Sequence, residues 1–358
     1  MNIYERISQK LAERFVRSEQ IARILALAVE SGKNVLLWGP GGHGKSEMVS
    51  AALSVVTNED NVFVQSFGEG MDEATLWGGL DFRALEDEKV LRYHPENSFL
   101  SKDYAVFEEI FDAPASVLLA LKDTLTAKKL RKGSQVFGMK TKVIIAITNK
   151  DPDEISDLGP AAAALVERFP LQLKVEWNSY SGADYLGLFQ KVSPFLSGAD
   201  LNGTTAVLAE VFAKAADGDE VISPRTAVHA LGVVKTAAAI RGSGRVDKQD
   251  LLDLCFLPGM EEFAENLREE LDAAYERAAA EANIAAAERK LRQLINDLDG
   301  SDTPIKALQV AKRMISFQDE VANLKVTDGL TERRKSLRDS VGAKITEAQS
   351  RALETTRI

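Results

Sequence analysis

Short apolar runs alternate with amphipathic stretches along the first half of the chain. Five runs rich in β-branched residues predict strands at 35–38, 62–65, 105–107, 143–147 and 171–173. Stretches with helical spacing separate several of these runs, at 18–31, 45–56 and 113–127. Strands that alternate with helices indicate a parallel sheet with helices on both faces. The predicted fold class is therefore α/β.

The strand pattern fades after about residue 175, and the remaining chain is predicted to be helical. Helices at 205–216 and 224–241 indicate a small second subdomain, and Ser223 before Pro224 is a favourable helix start. Beyond Pro258 the chain is poor in proline and glycine, which is typical of long helices. We expect an α/β core over 1–175, a helical subdomain over 176–258 and a helical arm over 259–358.

The arm is predicted to contain three helices with apolar stripes. The stripe of the first comprises Phe263, Leu267, Leu271, Ala274, Ala278, Leu291, Ile295 and Leu298. The stripe of the second comprises Ile305, Leu308, Ile315 and Leu324. The stripe of the third comprises Leu337, Val341, Ile345, Ala348 and Ala352. A first helix of about 40 residues would be about 60 Å long, so we expect a coiled-coil-like three-helix arm.

Composition narrows the class of protein. Hydrophobic residues make up 45% of the chain, which is enough for a sizeable core. The net charge of −10 argues against a protein that mainly grips nucleic-acid phosphates. The single cysteine, Cys255, which we expect to be buried, argues against a disulfide scaffold. The sequence shows neither a signal-peptide pattern nor an apolar run of about 18 residues, so we expect a cytoplasmic protein without a membrane segment.

The clearest motif follows the first predicted strand. It fits the pattern G-x-x-x-x-G-K-[ST] and consists of Gly39, Pro40, Gly41, Gly42, His43, Gly44, Lys45 and Ser46. Glycines let backbone N–H groups converge on phosphate oxygens, and the next helix adds partial positive charge. The motif predicts nucleotide binding, with Lys45 on the β- and γ-phosphates and Ser46 on Mg²⁺. His43 occupies a free position of the motif, and we expect it to face solvent.

Polar residues at the ends of two later strands are candidates for hydrolysis chemistry. Glu108 and Glu109 follow the run 105–107; one carboxylate can hold Mg²⁺ through water while the other orients the attacking water. Asn149 follows the next predicted strand, at the edge where α/β proteins bind ligands. Adjacent acids are common by chance, and Asn149 fits equally well as the start of a turn. The residues alone leave these alternatives open.

Five segments in a fixed order form a more specific pattern. They are GPGGHGKS, AVFEEIFDAP, AITNKDP, LVERFPL and SPRTA. This order resembles the MoxR branch of the AAA+ ATPases over about residues 15–258. The segment ATLWGGLD at 74–81 and the acidic stretch after it are most similar to the RavA-type subgroup. The resemblance implies a P-loop AAA+ module, with a five-stranded parallel sheet sandwiched by helices, a small all-α lid and, in this chain, the long-helix arm.

The resemblance also implies roles for individual residues. Glu108 and Glu109 occupy the Walker B positions, where Glu109 matches the water-activating glutamate and Glu108 replaces the usual aspartate. That replacement implies slower hydrolysis or a differently held metal. Asn149 matches sensor 1, Arg168 the arginine finger and Arg225 sensor 2. Fixed guanidinium groups would stabilise the charge of phosphoryl transfer. Without the resemblance, Arg168 fits a surface arginine and Arg225 a first-turn helix residue.

At the level of function, the resemblance implies a hexameric ring that uses ATP and Mg²⁺ to remodel a partner protein. Such partners often carry a von Willebrand A domain. The insert at 68–102 fits equally an element that faces the ring pore and a structural hairpin over the sheet. We expect the arm to contact a partner or the ring. The alternative is an ATP-regulated scaffold with weak hydrolysis whose arm binds partners, and a nucleic-acid motor is disfavoured by the charge.

Overall fold

The computed structural model describes residues 1–133, 135–176, 180–201, 203–215, 222–258, 260 and 263–354, without the side chains of 215, 263–271, 328 and 354. Its strands are β1 (Val35–Trp38), β2 (Val62–Ser66), β3 (Tyr104–Glu108), β4 (Lys129–Lys132), β5 (Gln135–Gly138), β6 (Val143–Thr148) and β7 (Leu171–Lys174). Its helices are α1 (Ile3–Ala12), α2 (Glu19–Ser31), α3 (Lys45–Leu53), α4 (Glu73–Leu76), α5 (Phe82–Asp87), α6 (Ala115–Ala127), α7 (Pro152–Asp157), α8 (Pro160–Val166), α9 (Gly182–Val192), α10 (Thr204–Ala215), α11 (Pro224–Ile240), α12 (Phe263–Asp299), α13 (Pro304–Ala322) and α14 (Thr331–Glu354).

Five strands form one parallel sheet in the order β2-β3-β6-β1-β7. The predicted α/β class and its five strands are confirmed, with strand ends within two residues of the expected positions. Because all five strands run in the same direction, their carboxyl ends lie along one edge and their amino ends along the other. The strand β1 lies between β6 and β7, so the loop that follows β1 begins at the carboxyl edge with a strand on either side.

Both faces of this sheet are buried. Val35 and Leu37 of β1 pack against α1, α2 and α3, whereas Leu36 between them points to the opposite face. That opposite face is covered by α6, α8 and the insert at 68–102. Burial on both faces explains why the strands appear in the sequence as continuous apolar runs.

The insert is anchored to the sheet by aromatic side chains. Trp77 and Phe99 are fully buried, and the Phe99 ring meets Phe107 of β3 edge-on with centroids 5.2 Å apart. Phe82 on α5 is by contrast 67% exposed. The insert therefore has a buried base that covers the sheet and an exposed tip, and its role stays a prediction. The antiparallel hairpin β4–β5 was not predicted from the sequence.

The helices after β7 share a separate core. Residues of α9, α10, α11 and the 3₁₀ helix Lys248–Phe256 pack together, as in the predicted all-α lid. Cys255 is half-buried, so the expectation of a buried cysteine was wrong. A 3₁₀ helix repeats every three residues, and Leu251 and Leu254 take the buried positions in this one. Cys255, one residue later, therefore lies at the margin of the core.

The arm consists of three helices, as predicted, around a core contributed by α12, α13 and α14. The predicted stripe of α13 was largely wrong, because Ile305, Leu308 and Ile315 are 72%, 59% and 45% exposed. The buried face consists of Ala307, Val310, Ala311, Met314, Phe317 and Val321. The predicted stripe and the observed buried face both fit the period of a helix. The helix α13 packs through the face that carries Ala307 and Ala311, whose small side chains allow the neighbouring helices to approach closely.

The helix α12 joins the lid to the arm. It is 37 residues long, close to the predicted length, and its first stripe residues Phe263, Leu267 and Leu271 lie outside the described side chains. Ala274 packs in the lid core, whereas Leu291 packs in the arm core. One helix thus contributes to both cores, and the division of the chain at 175 and 258 stays a prediction.

Neighbouring substitutions on α13 test which face of this helix is buried. We expect Met314→Ala to lower the free energy of local unfolding by about 2–5 kcal/mol, because the side chain is fully buried and leaves a cavity. The control Ile315→Ala should change it by less than about 0.5 kcal/mol, since that side chain is exposed. Native-state hydrogen exchange of α13 and α14 amides measures both values. If Ile315→Ala lowered the free energy of local unfolding more than Met314→Ala did, the face with Ile315 would be the buried one.

Candidate nucleotide site

The loop 39–46 crosses from β1 to α3 in a backbone conformation that requires glycine. Gly39 and Gly42 have φ angles of 134° and 80°. A Cβ atom on Gly39 would lie 2.4 Å from the Val175 carbonyl oxygen, and one on Gly42 would lie 2.6 Å from Ser223 Oγ. Gly44 precedes the first turn of α3, whose amide groups favour an anion. The loop therefore has the form of a phosphate cradle.

Lys45 is buried under this loop. Its Nζ donates hydrogen bonds to the carbonyl oxygens of Gly39 (2.6 Å) and Pro40 (2.8 Å) and to Asn149 Oδ1 (2.9 Å). Burial lowers the pKa of Lys45 to about 8, a shift that the Glu109 carboxylate opposes and the Arg225 charge adds to. The ammonium group is thus held at the carboxyl edge of the sheet, between the loop and the end of β6.

Asn149 connects Lys45 to Glu109. Its Nδ2 donates to Glu109 Oε1 at 2.7 Å, and its backbone N–H donates to Glu109 Oε2 at 3.2 Å. The amide orientation is chemically determined, because its oxygen faces an ammonium group and its nitrogen faces a carboxylate. Glu109 itself has a φ angle of 51°, which is uncommon for a residue other than glycine and is typical of functional sites. The two predicted residues therefore lie in direct contact.

Two oxygen donors could hold a metal ion. Glu108 ends β3 opposite Ile147 of β6, and Ser46 lies in the first turn of α3; both side chains are half-buried. A carboxylate and a hydroxyl suit Mg²⁺, which usually takes one or two protein ligands together with substrate phosphates. Within the described ranges, no group of three or more His, Cys, Asp or Glu side chains is arranged to hold a metal by itself.

The lid reaches the loop through the start of α11. The backbone N–H of Arg225 donates to the Gly42 carbonyl oxygen at 3.0 Å, and the Arg225 side chain is exposed. Beside this contact lies a cavity of about 370 Å³, lined by apolar side chains such as Phe15, Val16 and Val228 and also by Glu47 and His229. Its volume is within the range of small-molecule pockets, about 300–1,000 Å³. A mainly apolar pocket with some polar groups, beside a phosphate cradle, fits a nucleotide base.

His43 is only 4% exposed, so the expectation that it faces solvent was wrong. Its Nδ1 lies 3.0 Å from the Gly41 carbonyl oxygen and 3.2 Å from that of Pro40. Burial lowers the pKa of the imidazole, and the two carbonyl groups oppose that shift. The motif leaves this position free, but here His43 is buried and lines a cavity together with the segment 14–16 and residues of the lid.

Arg168 lies away from these residues. Asn34, immediately before β1, donates from Nδ2 to the Arg168 carbonyl oxygen at 3.0 Å and accepts from the Ile144 N–H near the start of β6. Arg168 is therefore at the amino edge of the sheet, and the phosphate loop is at the carboxyl edge. The structure brings together Lys45, Glu109, Asn149 and the backbone of Arg225, and it separates Arg168 from them.

Sequence reasoning missed an ion pair beside the site. Lys150 Nζ lies 2.7 Å from Asp112 Oδ1 and so joins the segments that follow β6 and β3. The Asp112 carboxylate raises the pKa of Lys150. The sequence did contain a signal for this pair: Asp112 follows Glu109 by three positions, and Lys150 follows Asn149 directly.

Three features define a P-loop AAA+ ATPase. A glycine-rich phosphate loop follows a central strand of a parallel sheet, polar residues lie at the carboxyl ends of the neighbouring strands, and a helical lid contacts the loop. Residues 2–182, about half of the chain, match the model of the MoxR domain in the MoxR-vWA-beta-propeller ternary systems. The chain therefore belongs to the MoxR family and is an AAA+ ATPase of the MoxR type. This match leaves the RavA-type subgroup a prediction.

A crystal structure from Cytophaga hutchinsonii, provisionally named an ATPase, is also similar to this chain. The similarity has a TM-score of 0.42 at 15% identity and covers 76% of this chain and 93% of that chain. At this level it carries no argument about function.

The lowered pKa of Lys45 predicts proton uptake when nucleotide binds. The group is mostly protonated at pH 7 and mostly neutral at pH 9, because its pKa is about 8. Phosphate oxygens favour the charged form, so ATP binding at pH 9 should take up close to one proton, and binding at pH 7 almost none. Calorimetry in buffers of different ionisation enthalpy measures this number. Equal uptake at both pH values would contradict the assignment.

Proposed function

We propose that the chain is one subunit of a hexameric MoxR-type ring that hydrolyses ATP to remodel or mature a partner protein. The observation that supports it most is the hydrogen-bonded series from Lys45 through Asn149 to Glu109. It links the group that would contact phosphate to the group that would activate water. An asparagine that merely starts a turn would have no reason to contact both.

In this proposal each residue of the site has one task. Lys45 would exchange its carbonyl acceptors for charged phosphate oxygens, which are stronger acceptors. Asn149 holds the Glu109 carboxylate through two hydrogen bonds, and Glu109 accepts the proton of the attacking water. Arg225, at the start of α11, would act as sensor 2, a positive charge that the lid places near the phosphates. The apolar cavity would take the adenine base.

Ser46 and Glu108 are the proposed ligands of Mg²⁺, which neutralises charge on the phosphates when it is bound. Glu108 carries one more methylene group than the aspartate of most relatives. Its carboxylate can still reach the metal through water, but it would do so from a different position. We therefore expect slow hydrolysis compared with relatives that carry aspartate.

The position of Arg168 supports a ring. An arginine at the amino edge of the sheet cannot contact phosphates at the carboxyl edge of the same subunit, because the strand β1 separates the two edges. Its half-exposed side chain is available to an adjacent subunit. Hydrolysis would then depend on assembly, and six subunits are the number that the family resemblance implies.

The matched family supports a partner with a von Willebrand A domain. Its description places the MoxR domain in systems that also contain vWA and beta-propeller components. The arm is the proposed contact for a partner or for the ring, and the exposed tip of the insert at 68–102 is a second candidate. The RavA-type likeness and the cytoplasmic location remain predictions. Among the described residues, no helix combines the length and apolar character needed to cross a membrane.

The second candidate is an ATP-regulated scaffold with weak hydrolysis. Glu108 favours it, because a displaced metal ligand would slow turnover without preventing nucleotide binding. The arm also favours it, since Ile305 and Leu308 are exposed apolar side chains that a binding partner could cover. The rate of ATP turnover separates the two candidates.

Substitution of Glu109 tests its role as the general base. We expect Glu109→Gln to bind ATP and to lower kcat by about 10²–10⁴-fold, because the amide cannot accept the proton. The control Lys45→Ala should lose binding itself. Equilibrium binding of ATP and release of phosphate measure the two steps. Hydrolysis at the wild-type rate by Glu109→Gln would refute this role.

Mixed assemblies test whether Arg168 acts on the neighbouring subunit. Arg168→Ala alone should lose activity by about 10³-fold or more, the usual effect of an arginine finger. Mixing it with Glu109→Gln subunits should restore turnover, because each variant supplies the group that the other lacks. Phosphate release at several mixing ratios measures this rescue. Failure at every ratio would contradict action between subunits.

A further inference from the structure

We propose that Thr126 is a positioning residue for Arg168, which it holds ready for the active site of the adjacent subunit. The inference rests on the proposed function, in which Arg168 acts between subunits. Thr126 belongs to the last turn of α6 and lies outside every motif that marks the nucleotide site. Its contact with Arg168 spans 42 positions of the chain.

The hydroxyl group of Thr126 has a defined orientation. It donates to the Lys122 carbonyl oxygen, one helical turn earlier, at 2.8 Å. With its proton used in this way, the oxygen presents lone pairs, and Arg168 Nε donates to it at 3.0 Å. The direction of both hydrogen bonds is consistent, so the helix fixes the acceptor and the acceptor fixes the guanidinium group.

The backbone of Arg168 is fixed independently. Its carbonyl oxygen accepts from the buried Asn34 side chain, and its N–H donates to the Leu165 carbonyl oxygen at 2.9 Å. The next residue, Phe169, is fully buried in the core on this face of the sheet. The Cα position is therefore rigid, and the remaining freedom lies in the long side chain. Thr126 restricts that freedom.

Binding through Nε leaves the other edge of the guanidinium group available. Arg168 Nη1 makes only a long contact of 3.4 Å with the exposed Glu167, and Nη2 makes no hydrogen bond within the part of the chain that the structure describes. Two such N–H groups in one plane can bind a phosphate bidentately. A pre-oriented group loses less conformational entropy in the transition state, which raises kcat.

The matched pair Thr126→Val and Thr126→Ser tests this role. The side chain is exposed, so neither change should disturb the core. Thr126→Val keeps the shape but loses the acceptor, and we expect kcat to fall about three- to tenfold with the KM for ATP unchanged. Thr126→Ser keeps the hydroxyl and should retain the wild-type kcat. A wild-type kcat in Thr126→Val, or an equal loss in both variants, would overturn the proposal.

Two further measurements identify the step that is affected. Mixing Thr126→Val with Glu109→Gln subunits should raise turnover per Thr126→Val subunit, because intact arginines then face its active sites. In the Arg168→Ala background, Thr126→Val should cause no additional loss. An additional loss there would show that Thr126 acts by another route. If Arg168→Ala hydrolyses ATP at the wild-type rate, Arg168 is not an arginine finger, and the role of Thr126 fails with it. If Arg168→Ala loses activity but the Thr126 variants keep the wild-type rate, only the role of Thr126 fails.

Discussion

The common direction of the five central strands is the constraint on which the site depends. It brings the phosphate loop after β1, Glu109 after β3 and Asn149 after β6 to one edge of the sheet, although 40 residues separate Glu109 from Asn149. The same constraint places Arg168 at the opposite edge. A single subunit thus brings Lys45, Asn149 and Glu109 together, and it keeps Arg168 away from them.

The buried charge of Lys45 determines the hydrogen bonds at the carboxyl edge of the sheet. Lys45 is 5% exposed, and a buried charge needs hydrogen-bonding partners to be tolerated. The loop carbonyls and Asn149 supply them, and Asn149 is in turn fixed by Glu109. The lid adds to the arrangement through the contact of Arg225 with Gly42. Nucleotide binding would therefore act on the loop, Glu109 and the lid through shared hydrogen bonds.

The sequence predicted those features that depend on local pattern. Buried parallel strands require continuous apolar runs, and a phosphate loop requires glycine, so both were recognisable. Features decided by tertiary packing were not: the period of α13 fits two faces, and only contact with α12 and α14 selects the one with Ala307 and Ala311. His43 is buried and lines a cavity with residues 14–16 and the lid, which are distant in the chain. The hairpin β4–β5 lacked an apolar run, because β4 buries only Leu130 and β5 alternates between half-buried and exposed residues.

A structure of the Glu109→Gln variant with ATP and Mg²⁺ would test the central claim most directly. The account predicts that Lys45 has left Asn149 for the β- and γ-phosphates, and that Arg168 of an adjacent subunit lies within hydrogen-bonding distance of the γ-phosphate. Arg168 should contact no phosphate bound to its own subunit. A γ-phosphate without an arginine from a neighbour, or with Arg168 of the same subunit, would contradict the account.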